Sequence, residues 1–332
     1  MKVVSLFSGC GGLDLGFMNA GFEIVWANDI FHDAAKTYEI NIGKHIDTRN
    51  ITEINVDEIP NCDGIIGGFP CQGFSVANMG RTVDDKRNTL YLEFIRIVKG
   101  KVPKFFIAEN VKGILTLGKG VVFQKIKQDF ADAGYEVFHH LFNVADYGVP
   151  QKRERLIIVG VRKDIKINYK YPTPYEKIYT LKDALKKGEL YKKDVPNSSG
   201  SKYPEHKKRI LDLVPPKGYW RDLPVDLQKE YMGGSFYLGG GKTGMARRIG
   251  WDEPSLTLTC SPAQKQTERC HPDETRPFTV REYARIQTFP DDWKFSGSTS
   301  QCYKQIGNAV PCNLAKEIGY SLINLLNQHF KT

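Results

Sequence analysis

Short apolar runs alternate with helix-like segments through the first half of the chain. The apolar runs have the length of buried strands, and the segments between them repeat apolar side chains every three or four residues. Strands and helices that alternate at this spacing predict an α/β fold with a doubly wound, mostly parallel sheet. The predicted strands are 2–7, 22–27, 62–67, 104–108, 135–141 and 156–161. The predicted helices are 13–20, 90–98 and 121–133.

The pattern changes in the second half of the chain. Between 169 and 279 the apolar period is weak, and Pro, Gly, Lys and Ser are frequent. A helical period returns at 280–287 and again at 314–326, where four apolar residues share one face. We therefore predict a first domain over 1–168, a second, smaller, loop-rich domain over 169–279, and a segment over 280–332 that returns to the first domain.

Positive charge is unevenly distributed along the chain. The formal net charge is +9, and residues 163–221 carry 15 Lys and Arg against 7 Asp and Glu. A basic region on an otherwise balanced protein indicates a polyanionic partner such as nucleic acid. A Lys-rich solvated surface explains the same count equally well, so charge alone does not decide between them.

Cysteines and apolar segments exclude several classes of protein. The seven cysteines include no Cys-x-x-Cys pair, so we expect neither a disulfide framework nor a zinc site or other bound metal. The first residues form too short an apolar run for a signal peptide, and no segment is long and apolar enough to span a membrane. We therefore expect a cytoplasmic protein with reduced thiols and no membrane partner.

Four groups that are suited to binding or chemistry follow four of the predicted strands. They are the glycine turn 8–12, Asp29, Cys71 and Glu109. In an open parallel sheet, ligands bind beyond the carboxyl ends of the strands. If the strands are parallel, these four groups face one edge of the sheet and form one site.

The glycine turn and Asp29 indicate a cofactor that contains a nucleoside. Glycines at 9, 11 and 12 let a ligand approach the backbone closely. Asp29 follows Gly9 by 20 residues, which is the spacing of a carboxylate that binds ribose hydroxyls. Asp14 stands where the dinucleotide fingerprint needs a third glycine, so NAD is disfavoured. A plain structural turn is the alternative for the glycines alone.

Cys71 and Glu109 have the sequence environments of a nucleophile and an acid. Cys71 follows Pro70 at a glycine-rich strand end, where helix N–H groups or a cation lower the pKa of a thiol. Glu109 emerges from the apolar strand 105–108, which is expected to raise the pKa of its carboxyl so that it holds a proton near neutrality. An inert buried cysteine and a solvated strand terminus are the alternatives.

Six short motifs occur in a fixed order along the chain. They are Ser5-Leu6-Phe7-Ser8-Gly9-Cys10-Gly11-Gly12, Gly68-Phe69-Pro70-Cys71-Gln72, Glu109-Asn110-Val111, Gln151-Lys152-Arg153-Glu154-Arg155, the segment 281–290, and Gly307-Asn308-Ala309-Val310-Pro311. Together they resemble the cytosine-5 DNA methyltransferase family, over nearly the whole chain except the basic middle region. The resemblance implies a Rossmann-like catalytic domain that uses S-adenosylmethionine, and a recognition domain for double-stranded DNA.

The resemblance also implies the course of the reaction. The Cys71 thiolate would attack C6 of a cytosine that has been swung out of the duplex, while Glu109 protonates or hydrogen-bonds N3. C5 would then accept the methyl group, and loss of the C5 proton and of Cys71 would complete the cycle. Arg155 is expected to hold the flipped base at O2, with Arg153 beside it.

A cofactor site is implied by the same family pattern. Asp29 would bind the ribose, and Ile30 would contact adenine at a position that is often aromatic in the family. Asn50 aligns with an acidic family position that contacts the adenine amino group, and its carbonyl oxygen could accept that hydrogen bond. The predicted cofactor-binding residues are Phe7, Ser8, Gly9, Cys10, Gly11, Gly12, Asp29, Ile30, Asn50, Ile51, Phe69, Leu90, Asn308, Ala309 and Val310.

DNA contacts are expected in two regions. The segment 72–88 would be the loop that closes on DNA, with phosphate contacts from Ser75, Lys86 and Arg87. The recognition domain offers basic and amide side chains, since Arg suits guanine and Gln suits adenine in the major groove. Ordinary polar loops and phosphate-only contacts are the alternatives. The candidates in the recognition domain are Lys242, Arg247, Arg248, Lys265, Gln266 and Arg269.

Two rival functions are compatible with the fold. A tRNA cytosine-5 methyltransferase of the same fold would carry a Cys-Phe-Thr signature, which this sequence lacks. A DNA-binding accessory protein without activity should have lost the nucleophile, the carboxylate or the glycine turn, all of which are present. We therefore expect a monomeric enzyme that modifies DNA in a restriction–modification system, with a restriction endonuclease encoded nearby.

Overall fold

The computed structural model describes residues 1–70, 89–166, 168–240 and 242–330. The chain divides into two compact units, each built from separate stretches. Unit 1 comprises Met1–Tyr147, Glu154–Pro174 and Val310–Thr332, and unit 2 comprises Gly148–Arg153 and Tyr175–Ala309. The structure thus groups 280–309 with unit 2, whereas the sequence placed a boundary at 279. The assignment of catalysis and DNA recognition to separate domains stays a prediction.

Unit 1 is built on a seven-stranded sheet. The strands of the chain are β1 (Lys2–Leu6), β2 (Glu23–Asn28), β3 (Ile46–Asp47), β4 (Gly64–Gly67), β5 (Phe105–Val111), β6 (Tyr135–Asn143), β7 (Gln151–Lys152), β8 (Glu154–Arg162) and β9 (Ser255–Leu256). The sheet order is β3-β2-β1-β4-β5-β8-β6, in which the first five strands are parallel and β8 runs antiparallel to both neighbours. The predicted mostly parallel α/β sheet is confirmed.

Both units contain helices. Those of unit 1 are α1 (Gly12–Asn19), α2 (His32–Asn41), α3 (Thr89–Lys101), α4 (Val121–Asp132) and α10 (Cys312–Phe330). Those of unit 2 are α5 (Leu181–Leu185), α6 (Glu205–Leu211), α7 (Val225–Met232), α8 (Val280–Ile286) and α9 (Thr299–Asn308). Among the described helices, none is long and apolar enough to cross a membrane.

The main core of unit 1 lies between the sheet and helices α3 and α4. Phe106 of β5 stacks on Phe130 of α4 with ring centroids 4.1 Å apart, and Phe94 of α3 meets both rings edge-on. All three side chains are fully buried, and burial of one such ring stabilises the fold by roughly 1.5–3 kcal/mol. Gly160 of β8 makes room for this layer, because a Cβ there would lie 1.9 Å from the Phe106 ring.

The first and last described helices of unit 1 pack closely against each other. A Cβ on Gly16 of α1 would lie 2.3 Å from the Cβ of Ala315 and 2.7 Å from the carbonyl oxygen of Cys312. A Cβ on Gly319 of α10 would in turn lie 2.7 Å from the Cβ of Ala20. Small residues at both positions therefore let the backbones of α1 and α10 approach closely. Helix α1 begins directly after the glycine turn, so this packing also supports the turn.

Candidate active site

The carboxyl ends of four neighbouring strands bring the predicted groups to one edge of the sheet. In the ladder, Leu6 of β1 pairs with Asn28 of β2 and with Gly67 of β4, which pairs with Ala108 of β5. The residues that follow these four partners begin the glycine turn, the Asp29 loop, the segment that leads to Cys71, and the Glu109 position. Cys71 itself lies outside the described residues, as do Ser75, Lys86 and Arg87.

The glycine turn has the backbone conformation that its sequence requires. Gly9 and Gly11 have φ values of 56° and 85°, a left-handed region that glycine adopts at low cost. The Gly11 N–H donates to the carbonyl oxygen of Ser8 at 3.0 Å, and the Ser8 hydroxyl donates to the carbonyl oxygen of Asn28 at 3.1 Å. Phe7 also has a positive φ, of 55°. The turn is therefore fixed to β2 before α1 begins.

Asp29 joins the glycine turn to the loop after β2. Its Oδ2 accepts from the Gly9 N–H at 2.7 Å, and its Oδ1 accepts from the Phe31 N–H at 2.8 Å. Burial raises the pKa of this carboxyl above its usual value, and the two backbone hydrogen bonds oppose that rise. Each oxygen keeps a second acceptor position for a ligand hydroxyl. Asp29 therefore shapes the turn in addition to its predicted role on ribose.

Apolar side chains are exposed beside Asp29. Ile30 and Phe31 are 57% and 59% exposed, although both are large and apolar. Asn50 is less suited to its predicted role than the sequence indicated, because its Oδ1 already accepts from the Thr52 N–H at 3.2 Å. Ile51 is buried and its carbonyl oxygen accepts from Arg96. A glycine turn, a carboxylate and exposed apolar side chains together fit an adenosine-containing cofactor.

Glu109 is paired with Arg155 across two antiparallel strands. Arg155 of β8 pairs in register with Val111 of β5, so its side chain lies diagonally next to that of Glu109 on the same face. The Arg155 Nε lies 2.7 Å from the Glu109 Oε1, and both side chains are only 12% exposed. The sequence argument considered only the apolar strand around Glu109. The protonation state that the sequence predicts for Glu109 stays a prediction.

Two further residues hold the segment that leads towards Cys71. The buried Asn110 side chain donates from Nδ2 to the carbonyl oxygen of Phe69 at 3.0 Å. The Phe69 ring is buried edge-on against Phe94 of the core, with centroids 5.9 Å apart. Gly68 leaves space for the carboxylate, since a Cβ there would lie 2.8 Å from the Glu109 Oε2. Asn110 and Gly68 occur in the motifs, but the sequence alone assigned them no role.

A family model decides what kind of site this is. The model of the C-5 cytosine-specific DNA methylases matches residues 1–324. The chain belongs to this family. The resemblance that the six motifs predicted is thereby confirmed, and the protein is a DNA (cytosine-5) methyltransferase. As a member of the family, the enzyme depends on S-adenosylmethionine.

Relatives and solved structures agree with this assignment. The Type II methyltransferase M.Eco47II of Escherichia coli is 55% identical over 335 residues, which cover 98% of this chain and 79% of the relative. M.PspPI of Psychrobacter sp. is 53% identical over 335 residues, which cover 98% of this chain and 80% of the relative. The methyltransferase EhMeth of Entamoeba histolytica has the same fold, with a TM-score of 0.71, 20% identity, and 98% coverage of each chain.

Arg153 has a structural role in the methyltransferase that the sequence did not predict. Its side chain is 1% exposed and lies in unit 2, where Nη1 donates to the carbonyl oxygen of Leu258 at 2.9 Å. Its Nη2 donates to the carbonyl oxygens of Gly307 at 2.7 Å and Ala309 at 3.3 Å. This burial does not favour a contact with a base, and the catalytic role of Arg153 stays a prediction. Arg153 holds two backbone segments of unit 2 together.

Two glutamines complete this arrangement in the interior of unit 2. Gln151 donates from Nε2 to the Oε1 of Gln287 at 2.9 Å and accepts from the Leu258 N–H at 2.9 Å. Gln287 donates from Nε2 to the carbonyl oxygen of Ile306 at 2.7 Å. Both glutamines are fully buried, and both belong to motifs for which sequence reasoning gave only a general resemblance. Together with Arg153 they position the backbone that carries residues 307–309.

The other predicted cofactor residues occupy varied environments. Asn308 is exposed, and its Oδ1 accepts from the Cys260 thiol at 3.0 Å. Leu90 is half-buried on α3, whereas Cys10 and Val310 are buried. The contacts of these side chains with the cofactor stay predictions. Within the described part of the chain, no cluster of His, Cys, Asp or Glu could hold a metal ion.

Two of the predicted DNA-reading arginines are buried in unit 2. Arg248 is 5% exposed and donates to the carbonyl oxygens of Val214 at 2.7 Å and Leu211 at 2.8 Å. Arg269 is also 5% exposed, and burial lowers the pKa of its guanidinium to about 10. This burial does not favour contact with DNA, and the DNA-reading roles of Arg248 and Arg269 stay predictions. Arg residues in Gly-rich sequence can equally serve to satisfy buried carbonyl groups.

The other predicted DNA-reading residues of unit 2 are nearer the surface but mostly engaged. The Lys242 ammonium donates to the carbonyl oxygens of Ser235 and Leu238. The Lys265 ammonium donates to the carbonyl oxygen of Met232 at 3.0 Å, and Arg247 is paired with Glu253 at 3.4 Å. Gln266 is exposed. These four residues stay candidates, with Lys242 better explained as support for a loop.

Proposed function

We propose that this enzyme methylates C5 of one cytosine in a specific duplex sequence, through a covalent bond between Cys71 and C6 of the base. We also propose that it is the modification enzyme of a Type II restriction–modification system, since the relatives described above are named Type II methyltransferases. The observation that carries the mechanism is the Glu109–Arg155 pair at the strand ends that also hold the glycine turn.

The base must leave the helix stack before it reaches these groups, because the reacting atoms are covered inside the duplex. Glu109 would then meet N3 of the extruded cytosine, and Arg155 would remain against Glu109 while it binds O2. A guanidinium has five N–H donors, so Arg155 can serve the carboxylate and the base together. The pair thereby orients the ring and stabilises charge that develops at N3.

Cys71 supplies the nucleophile in this proposal. Its thiolate adds to C6, the C5–C6 double bond opens, and the electrons are held at C5 and N3, where Glu109 donates a hydrogen bond or a proton. C5 would then bond to the methyl group as the bond between that methyl group and the sulfonium sulfur breaks, with S-adenosylhomocysteine as the leaving thioether. Removal of the C5 proton restores the double bond and expels the Cys71 thiolate. Asn110 supports this step because it fixes the backbone of Phe69, two residues before the nucleophile.

The cofactor-binding residues act on the same edge of the sheet. When it is bound, S-adenosylmethionine supplies an electrophilic methyl group on a sulfonium. Asp29 would accept hydrogen bonds from the ribose hydroxyls, and Ile30 would cover the adenine face, helped by the exposed Phe31. The glycine turn offers backbone N–H groups and no side chain that would block a close approach.

The covalent step is tested by trapping it. DNA from cells that express the enzyme is first sequenced for 5-methylcytosine, which defines the target. A duplex with 5-fluorocytosine at that position should then give a stable adduct with the wild-type enzyme and S-adenosylmethionine, because fluorine cannot leave as the proton does. Cys71→Ala should give no adduct, whereas Cys62→Ala, at another cysteine of unit 1, should react normally.

Two outcomes would refute parts of this proposal. An undiminished adduct with Cys71→Ala would remove Cys71 as the nucleophile. Methylation of transfer RNA but not of any duplex DNA, in a parallel assay, would overturn the substrate assignment. Gel filtration tests the further expectation that the enzyme acts as a monomer, and digestion of unmethylated target DNA by extracts of the source cells tests for an accompanying endonuclease.

A further inference from the structure

One loop of unit 2 exposes two large apolar side chains side by side. Tyr237 is 77% exposed and Leu238 is 67% exposed, the two highest values among the large apolar side chains that the structure describes. Single exposed apolar residues are common on protein surfaces and need no explanation. An adjacent pair with glycines on both sides, at 233–234 and 239–240, is a different case, because one short loop then exposes two large apolar side chains together.

The loop 233–240 is firmly anchored although its tip is exposed. The Lys242 ammonium donates to the carbonyl oxygens of Ser235 and Leu238, and these two hydrogen bonds hold the loop backbone. The Leu238 N–H donates to the carbonyl oxygen of Ser235 at 3.3 Å. The Trp220 indole N–H donates to the carbonyl oxygen of Lys242 at 3.1 Å. The exposure of Tyr237 and Leu238 is therefore a property of an ordered backbone.

Aromatic rings connect the tip to the core of unit 2. The Tyr237 ring meets the Phe236 ring edge-on, with centroids 5.2 Å apart, and Phe236 meets Trp220 edge-on at 6.1 Å. Trp220 is buried among the core residues of this unit. These ring contacts connect the Tyr237 side chain, through Phe236 and Trp220, to the core of unit 2.

Positive charges lie on the same row of rings. The Arg221 guanidinium is 5.2 Å from the Trp220 ring centroid, and the Lys229 ammonium is 5.9 Å from that of Phe236. Among the described residues, neither cation forms an ion pair with a carboxylate. The neighbouring acids Asp222 and Glu230 are engaged, with the Tyr219 N–H and with Arg209 respectively. The cations are therefore available to a polyanion.

Apolar tips flanked by cations fit duplex DNA better than other partners. Proteins that bend DNA insert apolar side chains between base pairs, while Lys and Arg contact the flanking phosphates. A protein partner or a second copy of this chain would be expected to cover a broader apolar area than two side chains. The charge and the small size of the tip thus favour DNA.

We infer that Tyr237 and Leu238 form a wedge that enters the base stack of the target duplex, with Arg221 and Lys229 on adjacent phosphates. The inference rests on the proposed action on duplex DNA and assigns part of the sequence recognition to this loop. In this inference Tyr237 and Leu238 contribute to specificity instead of the buried Arg248 and Arg269, and Lys242 holds the loop that carries them.

The test compares variants in DNA binding and in methylation. The dissociation constant for a labelled duplex of the target sequence should rise at least tenfold in Tyr237→Ala and in Leu238→Ala, with less effect on an unrelated duplex. The slope of affinity against salt concentration should not change in these variants. In Lys229→Gln the slope should fall by about one, with equal losses on both duplexes.

A matched control separates this effect from general damage. Val225→Ala removes another exposed apolar side chain of unit 2, 59% exposed, and should bind both duplexes as the wild type does. Equal binding of the target by Tyr237→Ala, Leu238→Ala and Val225→Ala would overturn the wedge, as would a dimer of the wild type that Tyr237→Ala dissociates. Failure of the wild type to methylate any duplex would instead refute the proposed function.

Discussion

The Nε of Arg155 lies 2.7 Å from the Oε1 of Glu109, across the antiparallel strands β5 and β8. This ion pair holds the carboxylate in one orientation at the end of β5. Such preorganisation lowers the cost of reaching the reactive geometry. Gly68 leaves the space in which the second carboxylate oxygen lies.

The Gly68→Ala variant should lose activity while it stays folded. The new Cβ would lie 2.8 Å from the Glu109 Oε2, and the carboxylate, as the end of a flexible side chain, is the group that moves. We expect kcat to fall at least tenfold, with unchanged affinity for S-adenosylmethionine and a free energy of unfolding within about 1 kcal/mol of the wild type. Steady-state kinetics and urea unfolding measure these quantities.

Two other glycines provide controls for that variant. Gly113→Ala places a Cβ where no atom lies within 4 Å, so its kcat should match that of the wild type. Gly67→Ala would place a Cβ 2.2 Å from the Leu6 carbonyl oxygen, a backbone atom that cannot turn aside, and should destabilise the protein. Normal turnover in Gly68→Ala would show that Glu109 needs no fixed position.

Substitutions at Arg153 and Arg155 should affect different properties of the enzyme, namely stability at Arg153 and catalysis at Arg155. Arg153→Met removes donors from buried carbonyl oxygens of Leu258 and Gly307, and should lower the free energy of unfolding by about 3 kcal/mol. Arg155→Lys keeps the charge but loses the planar fork, so kcat should fall at least tenfold with a stability change of about 1 kcal/mol or less. A loss of kcat without a loss of stability in Arg153→Met, or a loss of stability without a loss of kcat in Arg155→Lys, would contradict this division of roles. Steady-state kinetics and urea unfolding measure both quantities.

Asp14 should make the stability of the protein depend on pH. The carboxyl is fully buried and accepts from the Tyr38 hydroxyl at 3.0 Å, and burial raises its pKa to about 6. The native state therefore binds this proton more tightly than the unfolded state, and the contribution to stability falls as pH rises from about 4 to about 6. Above that range the cost of the buried charge is constant.

The Asp14→Asn variant isolates this effect. Asn keeps an acceptor for Tyr38 but cannot ionise, so its free energy of unfolding relative to the wild type should rise by roughly 2 kcal/mol between pH 4.5 and pH 7.5. Urea unfolding of both proteins at each pH gives the difference, in which the other titrating groups cancel. A difference that does not vary with pH would show that Asp14 is not protonated in the native state.

The apolar pattern predicted the central strands and the edge at which they end. Strand length and Val/Ile/Phe content were enough to place Asp29 and Glu109 at the same edge of the sheet, because parallel strands align their carboxyl ends. The pattern did not predict that β8 runs antiparallel to its neighbours β5 and β6, since a buried apolar run reads the same in both directions. The contact between Glu109 and Arg155 depends on that direction, so only the structure could bring them together.

Burial of charged side chains was the main feature that the sequence did not predict. Arg153, Arg248 and Arg269 occur in polar or glycine-rich surroundings, which usually indicate a surface. In the folded protein the guanidinium groups of Arg153 and Arg248 donate to buried carbonyl oxygens from distant parts of the chain, and that of Arg269 donates to the carbonyl oxygen of its neighbour Glu268. Which carbonyl groups lack a partner depends on tertiary packing. In contrast, the exposure of Tyr237 and Leu238 opposes what their apolar character predicts.

Gly16 and Ala315 meet although nearly the whole chain separates them in sequence. A ribosome releases α1 long before it synthesises α10, and domains otherwise fold as they emerge. During that interval the face of α1 around Gly16 has no α10 to cover it. Unit 1 therefore completes its native packing only after α10 has emerged from the ribosome.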